Sequence, residues 1–326
     1  MKSEEKRYVI GVDGGGTKTL AALADLNRKI LKIAKTGPSN LRNVDFKTAI
    51  SSISEAILKV IKGIKEKSVF SIFIALAAVE EEFKFEKEKI KKEILKNKKI
   101  LKVLKGKIEI VSDQLCAFKS GTGERDGLVL ISGTGSVCHG WRNGLQPTHH
   151  PPARRTPKEA KAGGWGWAND EGSGFWVGQK GYQAVFKELD GRGKKTKITK
   201  LLFKKWNLKN KEDLMKKIYG EGTIRSISLI SKIVDKTSQM GDKIAKSIME
   251  EAGKELSILA TSVIKKLNFQ NKKFPLVLAG KMFKSKIVLN RVKREVKKIS
   301  PKIQFIFPKE ESVIGAIKLA IENLKK

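Results

Sequence analysis

Residues 8–19 read Tyr-Val-Ile-Gly-Val-Asp-Gly-Gly-Gly-Thr-Lys-Thr: a short apolar strand with an acid, Asp13, at its end, then three consecutive glycines. Glycine lets backbone amides approach a ligand closely and adopts positive φ angles readily, and successive exposed amides form a concave site for anions. A carboxylate would repel a bare phosphate, so Asp13 favours a metal ion between the two. The stretch therefore predicts a turn that binds a metal-bound phosphate, most simply Mg-ATP. An ordinary glycine-rich hairpin turn is the alternative, and this stretch alone leaves both open.

The stretch matches neither of two common phosphate-binding templates. A Walker loop needs glycine directly before its Lys-Ser/Thr pair, but Thr17 holds that place here. The dinucleotide fingerprint G-x-G-x-x-G needs a third glycine where the chain has Thr19. Both nucleotide-binding classes are therefore excluded for this turn.

The composition indicates a globular protein with an unusually basic surface. A length of 326 residues suggests about two domains, and 40% hydrophobic residues predict a conventional core. The net charge of +34 raises the question of nucleic acid. Lysine outnumbers arginine, however, whereas phosphate and base recognition favour arginine, and the lysines alternate with glutamate, as in Glu86–Lys89. We expect a solvated surface that attracts small anionic substrates, and no nucleic-acid partner.

No segment has the features of a membrane or secretory protein. No apolar stretch is long enough to cross a bilayer, and the first residues lack the apolar core of a signal peptide. We therefore expect a cytoplasmic protein without a membrane partner. Cys116 and Cys138 lack the spacing of a zinc site, so we interpret them as buried thiols.

The opening pattern of strand, glycine turn and strand occurs twice. Residues 127–141 repeat it, with Ser-Gly-Thr-Gly-Ser at 132–136 as the turn. This repetition predicts a duplicated architecture with two similar halves. Apolar periodicity adds the remaining elements: a helix at 45–66, strands at 69–77 and 107–111, a charged helical region at 80–105, helices at 114–121 and over most of 174–268, strands at 275–279 and 303–307, and a helix at 312–324.

Two further sites suit phosphoryl transfer, which depends on positioning and charge neutralisation. The turn at 132–136 would be a second phosphate-binding loop. Asp113 follows a strand, at the edge where active sites of open α/β sheets lie. A carboxylate there suits the removal of a proton from a hydroxyl group. The alternative for Asp113 is an N-cap on the following helix.

Residues 163–176 combine aromatic rings, acids and tight glycine turns, in the order Gly-Gly-Trp-Gly-Trp-Ala-Asn-Asp-Glu-Gly-Ser-Gly-Phe-Trp. Three of the five tryptophans lie here, and such a mixture suits the apolar faces and hydroxyl edges of a carbohydrate. Each tryptophan taken alone could instead belong to a core. The preceding residues 146–161 are rich in proline and contain two of the three histidines. We interpret them as a surface loop and not as a metal site.

Taken in order, these motifs resemble a known family over nearly the whole chain. The run 11–19, Ser112-Asp113, the run 130–136 and the run 163–174 are similar to the N-acetylglucosamine kinase-type members of the BadF/BadG/BcrA/BcrD ATPase family. This family belongs to the actin–hexokinase–Hsp70 superfamily. The resemblance implies an α/β fold of two ribonuclease H-like lobes, each a mixed sheet flanked by helices, with a cleft between them. We place the N-terminal lobe at 1–112, with the helix at about 312–326 packed back on it, and the C-terminal lobe at 113–311.

The resemblance also implies an activity. Family members use ATP and Mg²⁺ to phosphorylate the 6-hydroxyl of N-acetylglucosamine, glucosamine or a related amino sugar, and many are dimers, so a homodimer is expected. Asp113 would be the catalytic base, and Asp13 would hold magnesium through water. The ATP and phosphate contacts would come from Gly14, Gly15, Gly16, Thr17, Lys18, Gly133, Thr134, Gly135, Gly280 and Lys281. The sugar contacts would come from Asn40, Asp113, Thr134, Gly164, Trp165 and Asp170.

The chain departs from the family pattern at three places. Lys281 replaces the second glycine of a pair that contacts adenosine, Asn169 replaces a glycine, and the loop at 146–161 is longer than usual. Two other functions stay open: an ATPase activator of a 2-hydroxyacyl-CoA dehydratase, which holds an iron–sulfur cluster through cysteines, and a non-catalytic protein that binds sugar or nucleotide.

Overall fold

The computed structural model describes residues 6–77, 84–142, 158–220 and 223–324. Contacts divide these residues into two compact units. The first unit comprises the described residues up to Glu124 together with 307–324, and the second comprises the described residues from Arg125 to Ile306. Most of the loop expected at 146–161 lies outside the described residues.

The first unit is built on a five-stranded mixed sheet in the order β3-β2-β1-β4-β5. The central strand β1 pairs antiparallel with β2 and parallel with β4. The strands are β1 (Tyr8–Gly14), β2 (Thr19–Asp25), β3 (Ile30–Thr36), β4 (Val69–Leu76) and β5 (Leu104–Ser112). Its helices are α1 (Phe46–Ile61), α2 (Lys84–Leu95), α3 (Lys98–Val103), α4 (Asp113–Gly121) and α11 (Ser312–Leu324).

Helices cover both faces of this sheet. Because strand residues alternate between faces, Ile10 and Val12 pack with the apolar face of α1, whereas Gly11 lies against α11. A Cβ atom at Gly11 would lie 2.7 Å from the carbonyl oxygen of Val313, so only glycine permits this approach of strand and helix. The last helix of the chain is therefore part of the first unit.

The second unit repeats this plan. Its sheet has the order β10-β9-β6-β7-β8, with β6 antiparallel to β7 and parallel to β9. The strands are β6 (Gly127–Ser132), β7 (Ser136–Arg142), β8 (Lys158–Gly163), β9 (Pro275–Ala279) and β10 (Gln304–Ile306). The helices are α5 (Gly174–Leu189), α6 (Lys197–Trp206), α7 (Lys211–Tyr219), α8 (Thr223–Gln239), α9 (Lys243–Lys266) and α10 (Lys286–Ile299). Both sheets thus carry a three-stranded antiparallel meander extended by two parallel strands, which confirms the predicted duplication.

The structure differs from the sequence predictions in three places. The helical region at 80–105 divides because the side chain of Asn97 caps α3 by accepting from the amides of Lys99 and Ile100. Strand β8 was not predicted, since its sequence Lys-Glu-Ala-Lys-Ala-Gly has no apolar run. Helix α4, which we expected to open the second lobe, lies in the first unit.

The reason for the position of α4 is its contact with α11. The Lys119 ammonium group is buried and lies 3.0 Å from the Glu322 carboxylate. A Cβ atom at Gly315 would lie 2.0 Å from the carbonyl oxygen of Cys116, so the two helices touch through their backbones. No helix of the described residues is long and apolar enough to cross a membrane.

Candidate active site

The glycine turn of the first unit is held by the segment that follows β3. The amide of Gly15 donates to the carbonyl of Lys18 over 3.0 Å, and the amides of Ser39 and Asn40 donate to the carbonyl of Gly15 over 3.0 and 3.2 Å. None of Gly14, Gly15 and Gly16 has a positive φ angle. The conformational reason that we gave for these glycines is therefore wrong.

Close packing explains two of the three glycines instead. A Cβ atom at Gly14 would lie 2.4 Å from the Ser39 hydroxyl oxygen, and one at Gly16 would lie 2.6 Å from Nδ2 of Asn43. The same Gly16 position lies 3.9 Å from Nδ2 of Asn40, so the expected sugar-binding Asn40 does lie beside the turn. The Asn40 Oδ1 atom accepts from the amide of Arg42 over 2.9 Å, which fixes the orientation of the side chain.

Three carboxylates and one lysine interact around the end of β1. The pKa of Asp13 is raised to about 6, first by burial and then by the neighbouring Asp113; Lys18 opposes the rise and Glu311 adds to it. The Lys18 ammonium group lies 3.5 Å from Oε1 of Glu311. The structure thus brings together Asp13, Lys18 and Asp113, as expected. It adds Glu311, which sequence reasoning missed because it lies about 300 residues away and belongs to no motif.

Asp113 is the first residue of α4 and does not cap the helix. The N-cap is Ser112, whose hydroxyl accepts from the amide of Leu115 over 3.3 Å. The alternative role for Asp113 as an N-cap is therefore wrong. Its Oδ1 atom is buried. Asp113 is thus a candidate base that the β5–α4 junction holds beside Asp13.

In the second unit, Asp170 joins the second glycine turn to the tryptophan segment. Its carboxylate is 5% exposed and accepts from the amide of Ser136 and the amide of Gly166, each over 3.2 Å. Burial raises the pKa of Asp170, and the hydrogen bonds from these amides oppose that rise. A Cβ atom at Gly135 would lie 2.4 Å from Oδ2 of Asp170, so Gly135 makes room for this carboxylate.

The two remaining positions of this turn differ in their surroundings. A Cβ atom at Gly133 would meet nothing within 4 Å, so there is open space beside this residue. Its amide donates to the carbonyl of Gly135 over 2.9 Å, and its carbonyl accepts from the amide of Gly174 over 2.7 Å. The carbonyl of Thr134 accepts from the amide of Phe175 over 3.3 Å. Backbone hydrogen bonds therefore anchor the turn, with room for a ligand atom beside Gly133.

The tryptophan segment exposes two of its three indole rings. Trp165 is 76% exposed and Trp167 is 50% exposed, whereas Trp176 packs against the core of the unit. Gly164 has a φ of +79°, which places Trp165 at the tip of a tight turn. The Lys161 ammonium group lies 5.9 Å from the centre of the Trp165 ring. Exposed rings beside backbone amides are suited to a sugar, and Trp167 is an addition to the residues that we singled out.

The end of β9 lies against the second glycine turn, at residues 132–136. Gly280 has a φ of +104°, and a Cβ atom there would lie 2.1 Å from the carbonyl oxygen of Ser132. Lys281 begins a 3₁₀ helix at 281–284, and its side chain is exposed. The close approach therefore requires glycine at 280 alone, and the lysine at 281 fits the backbone without strain.

Comparison with known proteins decides the family. The sequence pattern of the BadF/BadG/BcrA/BcrD ATPase family matches residues 10–320. The chain belongs to this family. The family is one of ATP-using kinases and related ATPases, so the two glycine turns belong to an ATPase fold.

Two curated relatives of this BadF/BadG-type ATPase are similar over almost their full lengths. The N-acetylmuramic acid/N-acetylglucosamine kinase of Clostridium acetobutylicum is 32% identical over 96% of this chain and 98% of its own length. The N-acetyl-D-glucosamine kinase of Dictyostelium discoideum is 31% identical over 98% of this chain and 99% of its own. Both relatives are amino-sugar kinases by name.

Solved structures confirm the fold of this BadF/BadG-type ATPase. A candidate N-acetylglucosamine kinase from Chromobacterium violaceum has a TM-score of 0.73 at 20% identity and covers 97% of this chain and 99% of its own. A ROK-family glucokinase from Streptomyces griseus, solved with glucose and AMPPNP, has a TM-score of 0.61 at 14% identity and covers 97% and 99%. The predicted α/β class with two mixed sheets flanked by helices is therefore confirmed.

The donor set around Asp13 fits the magnesium ion that the family implies. Mg²⁺ in such sites keeps several waters and binds through one or two carboxylates plus substrate phosphates. Asp13 lies in a crowded set of carboxylates that raises its pKa, and a divalent cation would relieve that repulsion. The described residues contain no group of three His, Cys, Asp or Glu side chains arranged to hold a metal ion by themselves.

The cysteines of this ATPase have no place in the site chemistry. Cys116 and Cys138 are buried and form no disulfide. Burial raises the thiol pKa of both, and for Cys116 the carboxylates of Asp13 and Asp113 raise it further. A protonated, buried thiol is a poor nucleophile and a poor metal ligand, so the interpretation as buried thiols is confirmed.

Proposed function

We propose that this protein is an ATP-dependent amino-sugar kinase that phosphorylates the 6-hydroxyl of N-acetylglucosamine or a close relative of that sugar. The observation that carries the proposal is the grouping of Asp113, Asp13 and Lys18 at the carboxyl ends of β1 and β5. Sequence identities of 32% and 31% to two proteins named as amino-sugar kinases, over nearly the full chain, support the proposal.

The glycine turn of the first unit binds the transferring phosphate in this proposal. The turn residues Gly14 to Lys18 present backbone amides and one ammonium group. Asp13 would hold Mg²⁺ through water, and the metal would supply positive charge that neutralises the phosphate oxygens. Lys18 adds a second positive charge at the same place. Glu311, 3.5 Å from that ammonium group, limits where the Lys18 side chain points.

Asp113 is the proposed general base. Phosphoryl transfer to a hydroxyl group needs a carboxylate that accepts the hydroxyl proton as the new P–O bond forms. The rigid junction of β5 and α4 holds Asp113, and Ser112 makes the capping hydrogen bond in its place. We assign the acceptance of that proton to the Asp113 carboxylate. Asn40, beside the glycine turn, would orient the acceptor sugar.

Within the second unit, we assign the nucleotide contacts to Gly133, Thr134, Gly135 and the Gly280–Lys281 corner, and the sugar contacts to Gly164 and Trp165. The exposure of Trp165 supports this assignment, because an indole face packs well on a pyranose ring. Asp170 acts through the backbone in our proposal, since both of its oxygens accept from amides of the two loops. A cytoplasmic location and a homodimer complete the proposal.

The two alternative functions differ in what they require of the chain. A dehydratase activator needs cysteines that hold an iron–sulfur cluster, but both cysteines are buried and the described residues form no metal cluster. A non-catalytic sugar-binding protein needs no base at Asp113.

The test is a product assay with a panel of sugars. Purified protein is mixed with Mg-ATP and N-acetylglucosamine, glucosamine, N-acetylmannosamine, N-acetylmuramic acid or glucose, and ADP release is measured. We expect stimulation by at least one amino sugar and a product whose ³¹P coupling places phosphate on the 6-oxygen. Absence of stimulation by every sugar would reject the kinase, and phosphate on another oxygen would reject the 6-hydroxyl.

A further inference from the structure

Helices α6 and α8 of the second unit line an open cavity of about 330 Å³ at the surface. The two helices run antiparallel, since the ammonium group of Lys197, at the start of α6, donates to the carbonyl of Met240, just past the end of α8. Two apolar side chains and four lysines line the cavity: Leu201, Lys204, Lys205, Lys232, Ile233 and Lys236. A concave surface with this lining concentrates positive charge around an apolar floor.

The four lysines that line the cavity, hereafter the lysine cluster, are exposed, and none forms an ion pair with a carboxylate of the described residues. The acid nearest to Lys232 and Lys236 along α8 is Asp235. Its Oδ2 atom accepts from the side-chain amide of Gln239 over 3.0 Å, and its Oδ1 atom is buried, away from the exposed lysines. Asp242 accepts from the amide of Lys197 and from the amide of Ala245. Four positive charges therefore line one cavity without an ion-paired carboxylate in the part of the chain that the structure describes.

A purely structural reason accounts for part of this arrangement. Lys204 and Lys205 lie in the last turn of α6 and Lys236 in the last turn of α8, where cations complement the helix dipole. Each helix end carries roughly half a negative charge, which is too little to neutralise four ammonium groups. Lys232 lies in the interior of α8 and is not explained by a helix end at all.

We propose that this cavity binds a small polyanion that carries two or more phosphate groups. Its volume falls in the range of small-molecule pockets, about 300–1,000 Å³, and lysine is a common point-charge ligand for phosphate. The floor of Leu201 and Ile233 suits the organic part of such a ligand, for example a nucleotide base. The proposal rests on cavity and charge in the second unit and does not depend on the kinase function.

Lysine labelling locates the ligand directly. The protein is treated briefly with acetic anhydride, with and without inorganic tripolyphosphate, and the modification of each lysine is measured by mass spectrometry. We expect tripolyphosphate to protect the lysine cluster more strongly than Lys243 and Lys246, which are exposed lysines of α9. Equal protection of all exposed lysines, or protection confined to Lys18, would overturn the proposal.

A pair of variants tests the affinity. Lys204→Ala/Lys232→Ala removes one charge from each wall of the cavity, and Lys243→Ala/Lys246→Ala removes the same charge from α9. By titration calorimetry at fixed ionic strength we expect the first variant to lower tripolyphosphate affinity about tenfold, the upper range for two exposed charge pairs, and the control to leave it unchanged. An equal loss of tripolyphosphate affinity in both variants would overturn the proposal. It would also be overturned if the wild-type protein bound a 20-nucleotide single strand at this cavity but did not bind tripolyphosphate.

Discussion

The carboxylates around Asp13 predict that the candidate active site destabilises the fold above pH 6. Burial, Asp113 and Glu311 raise the pKa of Asp13 from 3.8 to about 6, against the opposing effect of Lys18. A carboxyl group with a raised pKa binds its proton more tightly when the protein is folded. Its stabilising effect is therefore complete below pH 3.8 and is lost as the pH rises through 6.

The size of the effect follows from the shift in pKa. About two units at 1.36 kcal/mol each correspond to roughly 3 kcal/mol. The substitution Asp13→Asn keeps this position neutral at every pH. We therefore expect the variant to be more stable than the wild type at pH 7.5 by up to about 3 kcal/mol, by about half as much at pH 5, and by only about 0.5 kcal/mol at pH 4.

Urea denaturation followed by far-UV circular dichroism, without magnesium or nucleotide, measures this difference at the three pH values. Glu55→Gln is the control, because Glu55 is an exposed carboxylate that pairs with Lys59 on the surface of α1. It should change stability by less than about 0.5 kcal/mol at each pH. A variant Asp13→Asn that is less stable than the wild type at pH 7.5, or whose advantage does not change with pH, would refute the reasoning.

Three further predictions follow from the same geometry. Binding of Mg-nucleotide at pH 6 should release a proton from Asp13. The release is measured by calorimetry as a change of the binding enthalpy between buffers of different ionisation enthalpy. A binding enthalpy that is the same in all buffers would contradict the prediction. Glu322→Gln should lower the free energy of unfolding in urea by about 3–5 kcal/mol, because it leaves the 1% exposed Lys119 without its ionic partner. Lys119→Met leaves only a 38% exposed carboxylate without a partner and should lower it less. A larger loss in Lys119→Met than in Glu322→Gln would disprove this reasoning. Gly280→Ala should lower the melting temperature by several degrees, because its Cβ atom would meet the carbonyl oxygen of Ser132. Gly133→Ala should have the melting temperature of the wild type and bind ATP more weakly, because a Cβ atom there meets no protein atom. Equal melting temperatures of the two variants would count against these contacts.

The repeated sequence pattern predicted most of the fold. The runs at 8–19 and 127–141 each combine an apolar strand with a small-residue turn, and both became the centres of identical sheet arrangements. Strand β8 escaped prediction because its residues are polar, and it is defined only by its backbone pairing with β7. Local sequence therefore predicts buried strands well and polar edge strands poorly.

The candidate site shows the same limit. Asp13, Lys18 and Asp113 lie in motifs that mark them, and the structure brings them together. Glu311 reaches the site only because α11 packs on β1, and no local sequence pattern predicts that contact. Asp170 was expected to bind sugar, but its hydrogen bonds to two loop amides could be seen only in three dimensions.

The central claim is that Asp113 accepts the proton of a sugar hydroxyl during transfer from ATP. The most direct measurement compares Asp113→Asn with the wild type in two assays, N-acetylglucosamine binding by calorimetry and a single turnover with Mg-ATP. Asp190→Asn, an exposed carboxylate paired with Arg192, is the matched control. The account predicts that Asp113→Asn binds the sugar within about threefold of the wild type and loses at least about a hundredfold in the rate of transfer, the lower range for a general base. A transfer rate within tenfold of the wild type would contradict it.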